Sequence, residues 1–237
     1  MVIYNDISKR YQLGLQEEST PIASGIYDLH EKLLYYMIII IVIVSYLLFS
    51  ISYNNKMRYN KNITHNVILE IIWTIMPSII LIIIAIPSFK LLYAQDEVIN
   101  PIITVKAIGQ QWYWSYELSD IEDIDIAFDS YAISDSDINL GHIRLLDVDN
   151  PLYLPILSPI RLLTTSIDVI HSFALPSFGI KIDAIPGRIN HAYIYILREG
   201  TYYGQCSELC GQLHYNMPIV IKAVSPSLYL SWLSSLI

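Results

Sequence analysis

Charge is missing from two long stretches of this 237-residue chain: residues 33–55 and residues 71–89 contain no Asp, Glu, Lys or Arg. A helix needs roughly 20 predominantly apolar residues to cross the hydrocarbon of a bilayer, and each gap supplies about that many. A buried core helix is the plainer account of either run alone, and two in succession argue against it. Basic residues are scarce beyond residue 100, where seven stand against fourteen acids, so nucleic acid is excluded as a natural partner. The N-terminal segment mixes Lys9, Arg10, Glu17 and Glu18 and lacks the short apolar core of a cleaved signal, so the first span is expected to be retained. Cysteine is rarest: there are two, enough for at most one internal disulfide. No internal repeat and no low-complexity tract is visible outside the isoleucine-rich spans.

What is present divides the chain in two. Hydrophobic residues make up 54% of it, concentrated in the first hundred positions. The expectation is an N-terminal segment and transmembrane helix hairpin over residues 1–100, with spans at about 33–53 and 69–91, followed by an outward-facing domain over 101–237. Pro77 and Pro87 fall in the second span, where neighbouring helices can satisfy the backbone groups a proline frees. Lys56, Arg58 and Lys61 between the spans mark that loop as the inner side, which turns both termini outward. Residues 94–101 read as the linker.

Beyond it, runs rich in β-branched and aromatic residues at 102–107, 112–118, 142–148, 160–166, 180–185, 189–197 and 217–224 predict about seven strands in an antiparallel sandwich or barrel. Turn signals such as Asp149-Asn150-Pro151 and Pro186-Gly187 separate them. Ser225-Pro226 predicts the start of a short final helix. The acidity of this domain suits steering of a basic protein partner, or simply a solvated face.

Both cysteines lie in Tyr203-Gly-Gln-Cys206-Ser-Glu-Leu-Cys210-Gly-Gln-Leu-His214-Tyr-Asn-Met217-Pro. Thiolate, imidazole and weak thioether together form the donor set that selects copper for electron transfer. Three other readings stay open: a Cys206–Cys210 disulfide, which leaves His214 and Met217 unexplained; a structural zinc site, which has no need of methionine; and two buried thiols beside a satisfied histidine. Two thiolates can bridge two metal ions and share one electron hole between them. Each metal then needs an imidazole whose other nitrogen is held by a neighbour. His171 is the best candidate for the second imidazole, with His142 and His191 as fallbacks.

These residues resemble the cytochrome c oxidase subunit 2 family, mitochondrial type. Gly204-Gln-Cys206-Ser-Glu-Leu-Cys210-Gly, His214 and Met217-Pro look like its copper A loop. Gln111-Trp-Tyr-Trp-Ser-Tyr-Glu117 is similar to its aromatic signature. Asp168-Val-Ile-His171 and Gly179-Ile-Lys-Ile-Asp-Ala-Ile-Pro-Gly-Arg188 resemble its middle segment, and Ile72-Trp-Thr-Ile-Met-Pro77 the start of its second span. The resemblance implies a cupredoxin-like Greek-key domain with a binuclear copper A centre. Cys206 and Cys210 would bridge the coppers, His171 and His214 each bind one, Met217 act as axial ligand, and Glu208 lend its carbonyl. The Glu208 side chain would also reach a magnesium ion shared with the catalytic subunit. Trp112 would be the point where electrons enter from cytochrome c, and Glu70 would sit near the mouth of a proton path. An acid in the first turn of a helix is equally explained by the helix dipole.

The implied partners are cytochrome c, catalytic subunit 1 and other oxidase subunits, and membrane lipid. The implied activity is oxygen reduction in another subunit coupled to proton translocation. Departures from the family pattern are Gln110, Ile167 and Phe173, which put the cytochrome c docking face in question. Glu117, Asp120, Glu122, Asp123, Asp125, Asp147 and Asp149 would then share the steering. A freestanding copper carrier and a non-redox tethered sandwich are the competing classes. The isoleucine content suggests a mitochondrial inner-membrane protein with its outer domain and both termini in the intermembrane space.

Overall fold

The computed structural model describes residues 5–53, 65–97, 100–121 and 124–237, with backbone alone at 5, 119–121, 124 and 125. Lys56, Arg58 and Lys61, on which the expected orientation rests, lie outside the described residues, as do Glu122 and Asp123 and the side chains of Asp120 and Asp125. The chain forms two compact units, one of Gly25–Ala94 and one of the residues up to Ser24 together with Gln95–Ile237.

The helical unit follows from its caps and its composition. Helix α1 (Pro21–Tyr53) has proline in its first turn, and the Thr20 hydroxyl accepts the Ala23 N–H at 3.1 Å. Helix α2 (Val67–Gln95) is capped by Asn66, whose side-chain oxygen accepts the Leu69 N–H at 3.2 Å. At 1.5 Å per residue these helices measure about 50 and about 44 Å, more than the hydrocarbon thickness of about 30 Å. Their most apolar windows are wholly unburied by protein, as lipid-facing segments would be. Helix α1 begins twelve residues before the expected span because the charged stretch carrying Asp28, Glu31 and Lys32 is also helical. Pro77 and Pro87 lie inside α2 without ending it.

Among the described residues of the other unit, eleven strands build two sheets: β1 (Asn5–Asp6), β2 (Ile103–Gln110), β3 (Tyr113–Ile121), β4 (Ile124–Ser130), β5 (Leu152–Pro155), β6 (Pro159–Ser166), β7 (His171–Leu175), β8 (Ile180–Ala184), β9 (Asn190–Tyr195), β10 (Gly200–Cys206) and β11 (Pro218–Val224). One sheet runs β5-β11-β10-β7-β8, with β1 added along β10, and the other runs β4-β3-β2-β6-β9. The result is a cupredoxin-like Greek-key sandwich. It is not purely antiparallel, since β2 pairs parallel with β6, and β11 with β5. Alternation along β6 buries Ile160, Leu162, Thr164 and Ser166 against a core that includes Trp114, Tyr116, Phe173, Phe178 and Tyr202. Helix α3 (Pro226–Ser234) closes the chain. Ser225 stands at its N-cap, but its hydroxyl faces Ser227 and caps no backbone group.

The expected strand at 142–148 is a run of turns. Asp147 accepts the Ile143 N–H at 2.6 Å, Leu145 is left-handed, and only Val148 forms a bridge, with Ala132. The N-terminal arm belongs to this unit. Asp6 is buried against Ser177, and the Thr20 hydroxyl that caps α1 donates to the Phe178 carbonyl at 2.7 Å.

Candidate metal centre

β7 begins where β10 ends. The two strands pair antiparallel with Cys206 opposite Phe173, and the Ser207 N–H continues the ladder onto Ser172 O at 3.0 Å. His171, first residue of β7, and Cys206, last of β10, therefore meet at one edge of the sandwich. The chain then loops through Cys210 and a single 3-10 turn at His214–Asn216, and the loop is closed by the Cys206 N–H on Met217 O at 3.1 Å.

Four of the nominated side chains come together there. Cys206 Sγ and Cys210 Sγ are 3.9 Å apart, Cys206 Sγ is 3.9 Å from His171 Nδ1, and Cys210 Sγ is 3.5 Å from His214 Nδ1. The sulfurs are nearly twice as far apart as the roughly 2.04 Å of a disulfide, and both thiols are free. The Cys206 thiol donates to Glu208 O at 3.4 Å while the Glu208 side chain is exposed. Met217 is buried in the same core cluster as both cysteines. Ligand atoms of His171, Cys206 and Cys210 all lie within 4.8 Å of one another, and His214 joins through Cys210. Each sulfur thus has an imidazole beside it, His171 within the compact group and His214 next to Cys210 outside it.

Each imidazole needs its far nitrogen held. For His171 the partner is Asp168, whose Oδ1 lies 2.8 Å from Nε2. The spacing of three residues between them was a usable signal for this role, which the residue pattern alone left unassigned. Room for the ring comes from β2: a Cβ on Gly109 would lie 2.8 Å from Cδ2 and Cγ of His171. Trp114 stands edge-on to the ring at 6.1 Å.

The electrostatics differ between the thiols. Burial works against a Cys206 thiolate, but hydrogen bonds from His171 and from the backbone of Glu208 and Ser172 outweigh it and bring the thiol down to about 6. Cys210 is pushed up, by burial first and then by the negative charge of Cys206. Burial likewise opposes charge on Asp168, yet His171 and the N–H groups of Val169 and Gln111 hold its carboxyl below the usual range. His171 is raised despite burial, because Cys206 and Asp168 both favour its charged form.

The remaining candidates lie elsewhere or play other parts. Trp112 is half-buried in the β2–β3 turn, not in a strand, and its indole N–H donates to Cys210 O at 3.3 Å. Glu70 lies in the helical unit, in the first turn of α2. His142 accepts the Asn139 N–H in an exposed turn, and His191 packs on Tyr193 in β9, so neither fallback joins the cluster. Gln110 accepts from Tyr113 and donates to Ser115, both at 2.7 Å. Phe173 is fully buried against Trp114, which removes it from any docking face. Ile167 is 66% exposed and stays available to one. Among the proposed steering acids, Glu117 is paired with Lys106 at 2.7 Å, and Asp147 and Asp149 accept backbone N–H groups of their own loop.

The family model described as the periplasmic domain of cytochrome c oxidase subunit II matches residues 103–224, and the one described as that subunit's transmembrane domain matches residues 8–91. The chain is 48% identical over 239 residues to cytochrome c oxidase subunit 2 of Pneumocystis carinii, covering 99% of this chain and 98% of that one. It is 50% identical over 238 residues to the subunit 2 of Oenothera berteroana, covering 98% and 92%. A crystal structure of the periplasmic domain of subunit II of cytochrome oxidase from Bradyrhizobium japonicum superposes with a TM-score of 0.53 at 45% identity, over 59% of this chain and 96% of that one.

Proposed function

This chain belongs to the cytochrome c oxidase subunit II family, and on that premise we propose that it is the electron-accepting subunit of the oxidase. It takes electrons from reduced cytochrome c and passes them to the haem-copper catalytic subunit, where oxygen is reduced to water with proton translocation. His171, Cys206, Cys210, His214, Met217 and the Glu208 carbonyl would hold the copper A pair, which supplies reversible one-electron chemistry.

The observation that carries this reading is a pair of adjacent buried sulfurs, each with its own imidazole nitrogen beside it, His171 at 3.9 Å from Cys206 and His214 at 3.5 Å from Cys210. A tetrahedral zinc site with bonds of about 2.0–2.3 Å wants all four donors around one centre. Here His214 stands next to Cys210 and outside the compact group of the other three. Soft thiolates with imidazole and thioether favour copper over harder metals. Asp168 orients His171, and the sandwich core excludes water from both sulfurs.

Trp112 is the natural point of electron input, because its half-exposed ring hydrogen-bonds to the carbonyl of Cys210. The exposed Glu208 carboxylate is free to hold a magnesium ion shared with the catalytic subunit, while its carbonyl faces Cys206. Glu70 would stand at the mouth of a proton path. The outer domain's net negative charge would steer cytochrome c. The mitochondrial naming of a 50% identical relative from Glycine max and the two long apolar helices support an inner-membrane location; both termini and the copper domain would then face the intermembrane space.

The test is anaerobic mixing of the purified oxidase complex with reduced cytochrome c, followed by rapid spectroscopy. The reading expects reduction of the near-infrared copper band on the first turnover, slowed by orders of magnitude in Trp112→Phe with the band itself unchanged. A complex that accepts electrons from cytochrome c without that band would refute it.

A further inference from the structure

Gln111 makes two hydrogen bonds in opposite directions. Its backbone N–H donates to Asp168 Oδ2 at 2.6 Å, and the other oxygen of that carboxylate holds His171. Its side-chain amide donates to Cys210 O at 2.8 Å, the same carbonyl that receives the Trp112 indole. One residue of the β2–β3 turn thus reaches both the Asp168–His171 pair and the Cys210 loop, which come from distant parts of the chain. The β7–β10 ladder explains how His171 is held beside Cys206, but its backbone bonding ends at Ser207. Cys210 lies in the loop beyond it, and the Gln111 amide and the Trp112 indole both donate to its carbonyl.

A second observation comes from the loop. Gly211 has φ +122, where side chains are strained, and a Cβ there would lie 3.1 Å from Gln111 Nε2 and 3.2 Å from the Trp112 ring. The loop therefore carries a residue without a side chain at the place where the glutamine and tryptophan seat.

We infer that Gln111 is a positioning residue that clamps the Cys210 end of the donor set to the Asp168–His171 end and seats the Trp112 indole against the Cys210 carbonyl. Its consequences for a bound metal pair rest on the proposed function, whereas the clamp itself does not need the metal. The amide N–H presents the positive end of its dipole to the site, which disfavours the more positive, oxidised state. Loss of that donor should lower the reduction potential, and a carboxylate in its place should lower it further. Removing a group that holds a metal ligand typically costs 10–100-fold in affinity. Gln111 is itself exposed, so exchanging it leaves the core intact.

The experiment compares the full chain in detergent with Gln111→Met, which keeps length and loses the donor, and Gln111→Glu. In the metal-free proteins, amide hydrogen exchange across residues 207–216 should quicken several-fold in both variants while strands β2 and β6 keep their protection. In copper-loaded proteins the potential should fall in the order Gln, Met, Glu, and copper loss to a chelator should quicken about tenfold. Unchanged exchange in the loop overturns the clamp whatever the metal content. Altered exchange with an unchanged potential and chelator rate overturns the positioning role. A wild-type chain that takes up no copper pair refutes the proposed function instead, and the exchange measurement still decides the clamp.

Discussion

Asp168 Oδ1 and His171 Nε2 face each other at 2.8 Å, and this contact leaves the opposite nitrogen, Nδ1, directed at Cys206. The carboxylate is itself fixed by the N–H groups of Val169 and Gln111, both at 2.6 Å. Asp168→Asn keeps the shape but weakens the orienting bond. Copper affinity, measured by competition with a chelator, should fall about 10–100-fold with little change in thermal stability, because Asp168 lies at the surface. An affinity equal to wild type would remove Asp168 from the account.

The metal-free thiols should react unequally. Cys206 is brought down to about 6 from an ordinary value of 9.0, so its thiolate fraction rises as pH climbs through about 6, whereas Cys210 is pushed the other way. Iodoacetamide at neutral pH should therefore modify Cys206 first, read by peptide mass spectrometry. A thiol depressed in the folded state contributes fully above its unfolded value near 9, and that contribution is lost as pH falls through about 6. Preferential labelling of Cys210 would contradict this electrostatic picture.

Gly109→Ala places a methyl group 2.8 Å from the His171 ring, on a strand paired along both edges. Overpacking of this kind costs about 1–3 kcal/mol, and the ring must shift away from Cys206. Denaturant titration should show the destabilisation and metal analysis a reduced copper content. Gly14→Ala, with nothing within 4 Å of its Cβ position, should change neither.

Glu70 separates two explanations. Its position in the first turn of α2 accounts for a modest helix-dipole contribution of about 0.3–1 kcal/mol. A proton-path role predicts more. Glu70→Gln should slow steady-state oxygen turnover while leaving anaerobic reduction by cytochrome c at the wild-type rate. Equal turnover in the two proteins would leave the dipole as the whole explanation.

Much of this was legible in the residue pattern, for identifiable reasons. The membrane helices were visible because an uncharged apolar run of that length has few alternatives. The thiol loop was visible because four soft donors fall within twelve residues. β7 was missed because His-Ser-Phe-Ala-Leu is buried on both faces and shows no alternation. β10 was missed because it carries two glycines, one of them Gly204, where a Cβ would strike Ala174 O. Residues 142–148 carried strand-like composition, yet Asp147 captures the Ile143 N–H and holds the segment in turns. The parts of Gly109 and Gln111 depend on approaches between distant segments that spacing along the chain does not encode.

On the proposed function, two sulfurs and two imidazoles hold a pair of coppers rather than a single ion. Electron paramagnetic resonance of the oxidised, purified complex tests it most directly, because a hole shared equally between two copper nuclei splits into seven hyperfine lines. The account predicts that seven-line pattern with two coppers per outer domain. A four-line spectrum from one copper nucleus would contradict it.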